Sequence, residues 1–281
     1  MIREESWKQI LEIAYGSGPA KGYIWMEKDE EAKVDAGLAE NPYDYSLLTA
    51  KAILNFNHDA NVSIDYFSRA LAIQPFDSHQ LYNRGRKYLN TGRHSEGLAD
   101  LELAVRLDAE DNWKWHYLGV GYWMEGRLEE ALPNFVKAQE VSARHNQDLI
   151  SCEADWLWTT YMHLGRPEEA AAAIADITED TLVVPVIGDD EGYRDACLLL
   201  NGRMPVEEYV KTISAENEGG ASNGLFTVAK YYYYVEKDLD KAIDYLRKTL
   251  ADPIGKGWGF RFAKMNEAKW EAEYAAARGA N

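Results

Sequence analysis

One short turn signature recurs along the chain at a nearly constant interval. Its clear copies read TGRHSEGL, EGRLEEAL and LGRPEEAA at positions 91–98, 125–132 and 164–171. Their glycines lie 34 and then 39 residues apart, and weaker copies follow at 201–209 and 236–243. Each Gly-Arg pair stands just before a run that has the composition of a helix start, mostly rich in glutamate. Helix end, turn and helix start therefore repeat, which predicts a chain built from successive helix pairs.

The apolar spacing inside one period is helical. Apolar and small residues follow the i, i+3, i+4, i+7 pattern of a first helix and continue on the inner face of a second: Trp115, Leu118, Gly119 and Tyr122, then Ala131, Phe135 and Ala138. The small side chains at Gly119 and Ala131 predict a close approach of the two antiparallel helices. Tyr122 and Phe135 would fill the space above and below that contact.

In this pattern the chain resembles the tetratricopeptide repeat family. The unit at 115–143 matches seven of the eight family positions, and the neighbouring units match fewer. The resemblance implies an all-α fold, a right-handed superhelical solenoid of antiparallel helix pairs. It also implies a non-catalytic adaptor or scaffold, which binds a peptide or protein partner in a concave groove lined by the first helix of each pair. From residue 201 onward, the chain also resembles bacterial adaptor lipoproteins of the cell envelope. That likeness implies, as an alternative, an adaptor for hydrolases or proteases.

The Gly119-Val120-Gly121 segment is not a phosphate loop. A dinucleotide fingerprint requires a preceding strand and a third glycine, whose place Met124 occupies. The segment is better explained as part of the helical repeat.

We expect a single solenoid over residues 1–281. Its predicted parts are an irregular N-terminal helix pair (1–43), regular repeats (44–177), an irregular segment with a degenerate pair (178–222), a last repeat (223–251) and a C-terminal capping helix (258–278). An extended connection is predicted within 181–193, because β-branched residues and Pro185 interrupt the helical period there.

The C-terminal helix is expected to cover the last helix pair, because a solenoid leaves its final unit with an uncovered apolar face. Its apolar positions are predicted to lie near one face: Phe260, Ala263, Trp270, Tyr274 and Ala277. A homodimer formed through the same surface is the alternative.

The charge balance restricts the class of partner. The 281 residues include 30 Lys and Arg against 47 Asp and Glu, a net charge of −17. Such a chain repels nucleic-acid phosphates and anionic lipid headgroups. A protein or peptide that is basic or rich in aromatic residues is the favoured partner, with a merely solubilising role of the acids as the alternative.

The two cysteines, the N-terminus and the hydropathy indicate a cytoplasmic protein. Cys152 and Cys197 are expected to be free thiols in a core, because they form neither a disulfide framework nor a zinc-binding spacing. No apolar stretch is long enough to span a bilayer, and no secretory signal is visible.

Positions on the first helices that fall outside the predicted core are the candidates to contact a partner. They combine three tryptophans and two tyrosines with polar side chains: His79, Tyr82, Asn83, Arg86, Trp113, His116, Tyr117, Val120, Trp123, Asp155, Trp156 and Thr159. Aromatic side chains supply large contact areas to binding surfaces. The alternative is that they pack against neighbouring repeats.

We expect no catalytic residues, no metal and no cofactor. His79, His116 and Asp155 come from three successive repeats, and adjacent helices lie about 8–10 Å apart, too far for easy convergence on one ion. Cys152 has no evident oxyanion donors beside it. An enzyme or small-molecule sensor using these residues is the alternative from a different functional class.

Overall fold

The structure is a computed structural model that describes residues 28–145, 150–182, 190–213, 221–254 and 257–279. Two sequence predictions fall on other residues: a helix over 4–14 and most of the extended connection within 181–193. The polar, glycine-rich loop predicted over 215–224 lies outside the described residues as far as 220, and from Ser222 onward the prediction is wrong because the chain is helical. A five-residue insertion predicted around 145–149 also lies largely outside the described residues.

The described residues form helices and contain no β-strand. In chain order the helices are α1 (Lys28–Glu40), α2 (Tyr45–Leu54), α3 (Ala60–Ile73), α4 (Ser78–Asn90), α5 (His94–Leu107), α6 (Asn112–Met124), α7 (Leu128–His145), α8 (Ile150–His163), α9 (Pro167–Ile174), α10 (Asp190–Leu200), α11 (Val206–Thr212), α12 (Ser222–Lys230), a π-helical segment (Tyr231–Glu236), α13 (Leu239–Leu250) and α14 (Gly257–Gly279). The all-α prediction is confirmed. No described helix has both the length and the apolar character that crossing a bilayer requires.

The chain divides into two compact units, with the boundary between residues 164 and 165. Unit 1 contains α1 to α8, and unit 2 contains α9 to α14. This boundary falls inside the range 44–177 that the sequence predicts as regular repeats. A single continuous solenoid stays a prediction.

Unit 1 is a series of helix pairs whose starts and ends are set by local sequence. Aspartates cap α2, α3, α4 and α6, and the Asp77 carboxylate, for example, accepts the backbone N–H of His79 at 3.0 Å. The recurring glycines end the first helices. Gly92 and Gly126 have φ of +76° and +71°, a left-handed conformation that glycine adopts without steric cost. The Gly-Arg signature is therefore the helix-ending turn, as predicted.

The glycine in the middle of α6 permits the predicted close approach to α7. A Cβ built on Gly119 would lie 2.7 Å from the Phe135 ring. Phe135 and Ala131 are both fully buried. The predicted close approach of the two helices at Gly119 is confirmed, with the Phe135 ring rather than Ala131 nearest to the glycine.

One acidic residue departs from its prediction. Asp100, together with glutamates at the starts of the second helices, is expected to face outward and complement the helix dipole. Instead it is buried and accepts two hydrogen bonds from Arg84, from Nε at 2.7 Å and from Nη2 at 2.8 Å. This bidentate ion pair joins α4 to α5. The prediction is wrong because Asp100 lies six residues after His94, the first residue of α5, where the neighbouring helix covers it.

Unit 2 ends with α14, which packs against α12 and α13. The Trp270 indole is completely buried and stacks on Tyr233 with ring centroids 4.0 Å apart. The buried face of α14 differs from the predicted one, because Phe262 and Asn266 are buried while Ala277 is exposed. That α14 acts as a cap stays a prediction, which its packing on α12 and α13 favours.

The register of α14 is set by a glycine that touches backbone. A Cβ on Gly259 would lie 2.2 Å from the Ser222 carbonyl oxygen, and the Gly259 N–H donates to Asn223 Oδ1 at 2.7 Å. We expect Gly259→Ala to lower the free energy of unfolding by about 1–3 kcal/mol, because main chain cannot yield as a flexible side chain does. Urea unfolding measures this change. Gly279→Ala is the control, since a Cβ there meets nothing within 4 Å. Equal effects of the two substitutions would contradict the close approach.

Candidate protein-interaction site

Three first helices of unit 1 carry all twelve predicted site residues. Helix α4 carries His79, Tyr82, Asn83 and Arg86; α6 carries Trp113, His116, Tyr117, Val120 and Trp123; α8 carries Asp155, Trp156 and Thr159. Ring contacts between Tyr82 and Tyr117 and between His116 and Trp156 join the three helices, and we call this set of twelve residues the first-helix seam. The prediction that they belong to one face is consistent with these contacts, while a role in binding stays a prediction.

Most of the first-helix seam is buried. Only His79 and Tyr117 are half-buried, and the other ten predicted residues are buried. The expectation that these positions lie outside the core is therefore wrong for ten of the twelve. The physical reason is that large aromatic side chains fill the space between adjacent first helices, where the helical period of one repeat alone predicts an open face.

Arg86 lies among three aromatic rings that come from three different segments. Its guanidinium carbon lies 4.9 Å from the ring centroid of Phe56, 5.1 Å from that of Tyr82 and 4.5 Å from that of Tyr117. Its Nη2 donates a hydrogen bond to the Tyr117 hydroxyl at 3.3 Å. Burial raises the pKa of Tyr82 well above its usual value, so this ring stays a neutral phenol. Arg86 thus has favourable ring contacts. Burial alone would lower the pKa of its guanidinium, but the neighbouring Tyr117 and Tyr82, rather than carboxylates, raise it.

Polar atoms of Asn83 and Arg86 lack hydrogen-bond partners. Both the Oδ1 and Nδ2 atoms of Asn83 are buried without a partner among the described residues, as are Nε and Nη1 of Arg86. The two side chains are one helical turn apart on α4 and are 1% and 7% exposed. Leaving such groups unpaired costs about 1–3 kcal/mol each, more for a charged group. This part of the seam therefore offers donors and an acceptor that the described protein does not itself satisfy.

Sequence reasoning missed Lys87, which lies beside Arg86. Its Nζ donates to the Phe56 carbonyl oxygen at 2.7 Å and lies 3.4 Å from the centroid of the Phe56 ring. Burial, reinforced by the charge of Arg86, lowers the pKa of Lys87 to about 6. No sequence signal marks this lysine, because the residue that buries it lies 31 positions upstream.

A second pair that the sequence did not reveal joins α6 to α8. The His116 Nδ1 and a Glu153 carboxylate oxygen lie 2.6 Å apart, with both residues buried. The enzyme hypothesis grouped His116 with His79 and Asp155, whereas the hydrogen-bond contact of the His116 Nδ1 atom is with Glu153. Around the imidazole lie Trp156, at 5.6 Å between ring centroids, and Phe135, at 6.0 Å.

The aromatic part of the seam continues along α6 and α8. Trp123 meets Trp156 edge-to-face at 6.1 Å and meets the ring of His163 at 5.4 Å. Phe135 of α7 lies 5.2 Å from Trp156. Edge-to-face pairs of this kind add about 0.5–1.5 kcal/mol to the effect of area burial. These tryptophans pack against neighbouring repeats, which was the alternative to a role as exposed anchors.

The histidine at the other end of the seam, His79, has a lowered pKa. Burial lowers the pKa of His79, and the positive charge of Lys114 lowers it further. Lys114 is itself buried and paired with the carboxylates of Asp108 and Asp111.

Among the described residues, no cluster of three or more His, Cys, Asp or Glu side chains has the arrangement of a metal site. Cys152 and Cys197 are buried thiols that form no disulfide, as predicted.

Comparison with known proteins gives no match to a protein-family model. Superkiller complex protein 3 of Mus musculus is 32% identical over 130 residues, which cover 45% of this chain and 8% of that protein. The human protein of the same name is 42% identical over 59 residues, 21% of this chain and 4% of that protein. The chain therefore spans less than a tenth of the length of these curated relatives.

Solved structures with the same arrangement of helices are distant in sequence. A tetratricopeptide repeat protein from Parabacteroides merdae matches 93% of this chain and 97% of its own, with a TM-score of 0.55 and 14% identity. Cut9–Hcn1, described as a hetero-tetramer of the APC/C, matches 85% of this chain and 46% of its own, with a TM-score of 0.53 and 15% identity. The pilF protein of Pseudomonas aeruginosa matches 94% and 98%, with a TM-score of 0.51 and 13% identity. The recurring sequence signature and these structural similarities together establish that the chain has the tetratricopeptide-repeat fold.

Proposed function

We propose that this protein is a non-catalytic adaptor that binds a peptide or protein partner along the first-helix seam of unit 1. The observation that carries the proposal is the pair of buried polar side chains on α4, Asn83 and Arg86, whose free donor and acceptor atoms have no partner among the described residues. A fold that needed these residues for stability alone would leave fewer such atoms unpaired, since buried polar groups are nearly always hydrogen-bonded.

The chemistry of the two side chains defines what a partner must offer. A carboxamide pairs its Oδ1 and Nδ2 with the N–H and C=O of an extended main chain. A guanidinium held between aromatic rings donates Nε–H and Nη1–H to a carbonyl or carboxylate oxygen. A peptide segment supplies both kinds of group. Its approach requires the half-buried Tyr117 ring, which contacts both Tyr82 and Arg86, to move aside.

The comparisons support an interaction role in general terms. The fold is one that serves protein-interaction scaffolds, and the names of two similar proteins place them in multi-protein complexes, the Superkiller complex and the APC/C. We carry over to this chain only the general role of a scaffold in an assembly.

The proposal is tested by removing the unpaired polar atoms. Peptides selected from a random displayed library on the wild-type chain would be measured by fluorescence anisotropy against Asn83→Leu/Arg86→Leu. We expect affinity to fall roughly 10- to 150-fold, because hydrogen bonds to a charged group contribute about 1.5–3 kcal/mol. Arg106→Leu is the matched control, because Arg106 lies on α5 with its side chain 73% exposed.

Two results would count against the proposal: selection that yields no binding peptide, or a peptide whose affinity the double substitution leaves unchanged. Circular dichroism and thermal unfolding of each variant separate a lost contact from a lost fold. Should the double variant not fold, Tyr117→Phe, which removes only the hydroxyl next to Arg86, serves as a milder test of the same site.

A further inference from the structure

The two most exposed large apolar side chains among the described residues occupy equivalent positions. Tyr43 is 79% exposed and Phe76 is 70% exposed. Each follows a proline and precedes the aspartate that caps the next first helix, in the segments 42–44 and 75–77. The same structural position in consecutive units thus carries an aromatic ring in water.

The two turns lie side by side at one edge of unit 1. The Tyr45 hydroxyl donates a hydrogen bond to the Asp77 carboxylate, which ties the start of α2 to the turn that precedes α4. Arg69 of α3 donates to the Pro42 carbonyl oxygen at 3.1 Å, which holds the turn that precedes α2 against α3. These contacts place Tyr43 and Phe76 on neighbouring turns of the same edge.

Local packing does not account for either ring. An apolar residue just before a helix cap commonly packs on the fourth residue of that helix. Those residues are Leu48 in α2 and Leu81 in α4, and both are already buried in the core. Tyr43 and Phe76 have more than two thirds of their surface in water, so any such contact covers only a small part of either ring. Isolated exposed apolar residues need no explanation, but two on joined turns form a patch.

The patch continues along the same edge in an acidic setting. Ile73 and Leu107, the last residues of α3 and α5, are each 41% exposed. Exposed Glu40 precedes the first turn, and Glu110, which forms an exposed ion pair with Arg144 at 3.4 Å, takes the place of the aromatic ring before the cap of α6. A second copy of a chain with net charge −17 would bring like charges together, which disfavours self-association here.

We infer that this aromatic edge docks an arginine-bearing segment of a partner protein. A guanidinium stacks on an exposed aromatic face and pairs with nearby carboxylates, so rings flanked by glutamates suit arginine better than any other side chain. The chain uses the same contact internally, and three examples lie in unit 1. Arg69 lies 4.9 Å from the Tyr66 ring centroid, Arg93 lies 4.3 Å from that of Tyr88, and Arg127 lies 4.6 Å from that of Tyr122.

The test uses fluorescein-labelled hexa-arginine as the probe and anisotropy at fixed ionic strength as the readout. We expect Tyr43→Ser/Phe76→Ser to weaken binding roughly five- to thirty-fold, the sum of two exposed cation–π contacts. Hexa-lysine, whose ammonium groups do not stack, should lose less affinity. The fold should be unaffected, because both side chains lie in water. Leu182→Ser/Met265→Ser removes two other exposed apolar side chains, 53% and 45% exposed in unit 2, and is the matched control.

Unchanged hexa-arginine affinity in the Tyr43/Phe76 variant would overturn the inference. It would mean that the peptide binds through general electrostatic attraction to a chain of net charge −17. Equal weakening in the control variant would do the same. Light scattering that finds a wild-type dimer and a monomeric Tyr43/Phe76 variant would identify a second copy as the occupant, against the inference. Asn83→Leu/Arg86→Leu should bind hexa-arginine like the wild type, so this surface and the first-helix seam are tested separately.

Discussion

Replacing Lys87 with methionine is expected to raise the free energy of unfolding at pH 7 by about 3 kcal/mol. The folded chain lowers the pKa of this amine from 10.5 to about 6, first through burial and then through the charge of Arg86. One pKa unit corresponds to about 1.4 kcal/mol, and pH 7 lies 3.5 units below the unfolded-state pKa of 10.5. Removing the proton on folding at pH 7 therefore costs on the order of 5 kcal/mol. Methionine removes that cost but also the hydrogen bond to the Phe56 carbonyl, worth about 1–2 kcal/mol.

The gain should depend on pH with a definite sign. The unfolded chain holds the Lys87 proton up to pH 10.5, whereas the folded chain releases it near pH 6. Between these values the unfolded state binds one more proton, so the stability of the wild type rises with pH. Below pH 6 the penalty is fully present and constant. The advantage of Lys87→Met should therefore be largest at or below pH 6 and should vanish or reverse near pH 10.

Urea unfolding of both proteins at pH 6, 8 and 9.5 measures this dependence. Lys51→Met is the control, because Lys51 has the opposite perturbation. Burial alone would lower its pKa, but hydrogen bonds to Asp35 and Glu31 outweigh burial and raise it. That substitution should give no gain at any of these pH values. A Lys87→Met protein that is less stable than the wild type at pH 7, or whose advantage does not change with pH, would mean that the amine is charged in the folded state.

The repeat itself could be read from the sequence because its determinants are local. Glycine is the residue that ends a helix in a left-handed conformation, so the spacing of Gly92 and Gly126 gave the helix-pair period directly. The contact of Gly119 with Phe135 also follows from local spacing, since both lie on facing helices of one pair. Such features depend on a few neighbouring residues and on one short turn.

The content of the candidate site could not be read in the same way. Helical periodicity assigns a residue to a face of its own helix, but the neighbours of that face come from helices about 30 residues away. Lys87 is buried by Phe56, and His116 meets Glu153 across two different repeats. The same limit explains the first-helix seam, where ten residues assigned to an open face lie buried between helices. The prediction of the buried face of α14 was wrong for a related reason. The contact of Gly259 with the Ser222 carbonyl, 37 residues earlier in the chain, fixes how this helix packs.

Replacing Trp156 with alanine is expected to lower the free energy of unfolding by about 3–5 kcal/mol. The indole is 2% exposed and lies between rings from three other helical positions, those of His116, Trp123 and Phe135. Deleting it removes these contacts and opens a cavity that the surrounding helices close only in part. The same loss would also remove the side chain that covers the buried His116–Glu153 pair.

Trp115→Ala is the matched control, because this tryptophan is only half-buried and its indole N–H donates to the Ala109 carbonyl at the surface. We expect it to cost about 1 kcal/mol, the typical effect of a single substitution outside the core. Urea unfolding followed by circular dichroism compares the two variants, and Trp156→Phe should recover part of the loss by refilling the cavity. A Trp156→Ala protein as stable as the control would show that this side chain is not part of the core. In that event Trp156 would be an accessible anchor for a partner, and a selected peptide should lose affinity for Trp156→Ala while binding Trp115→Ala as it binds the wild type.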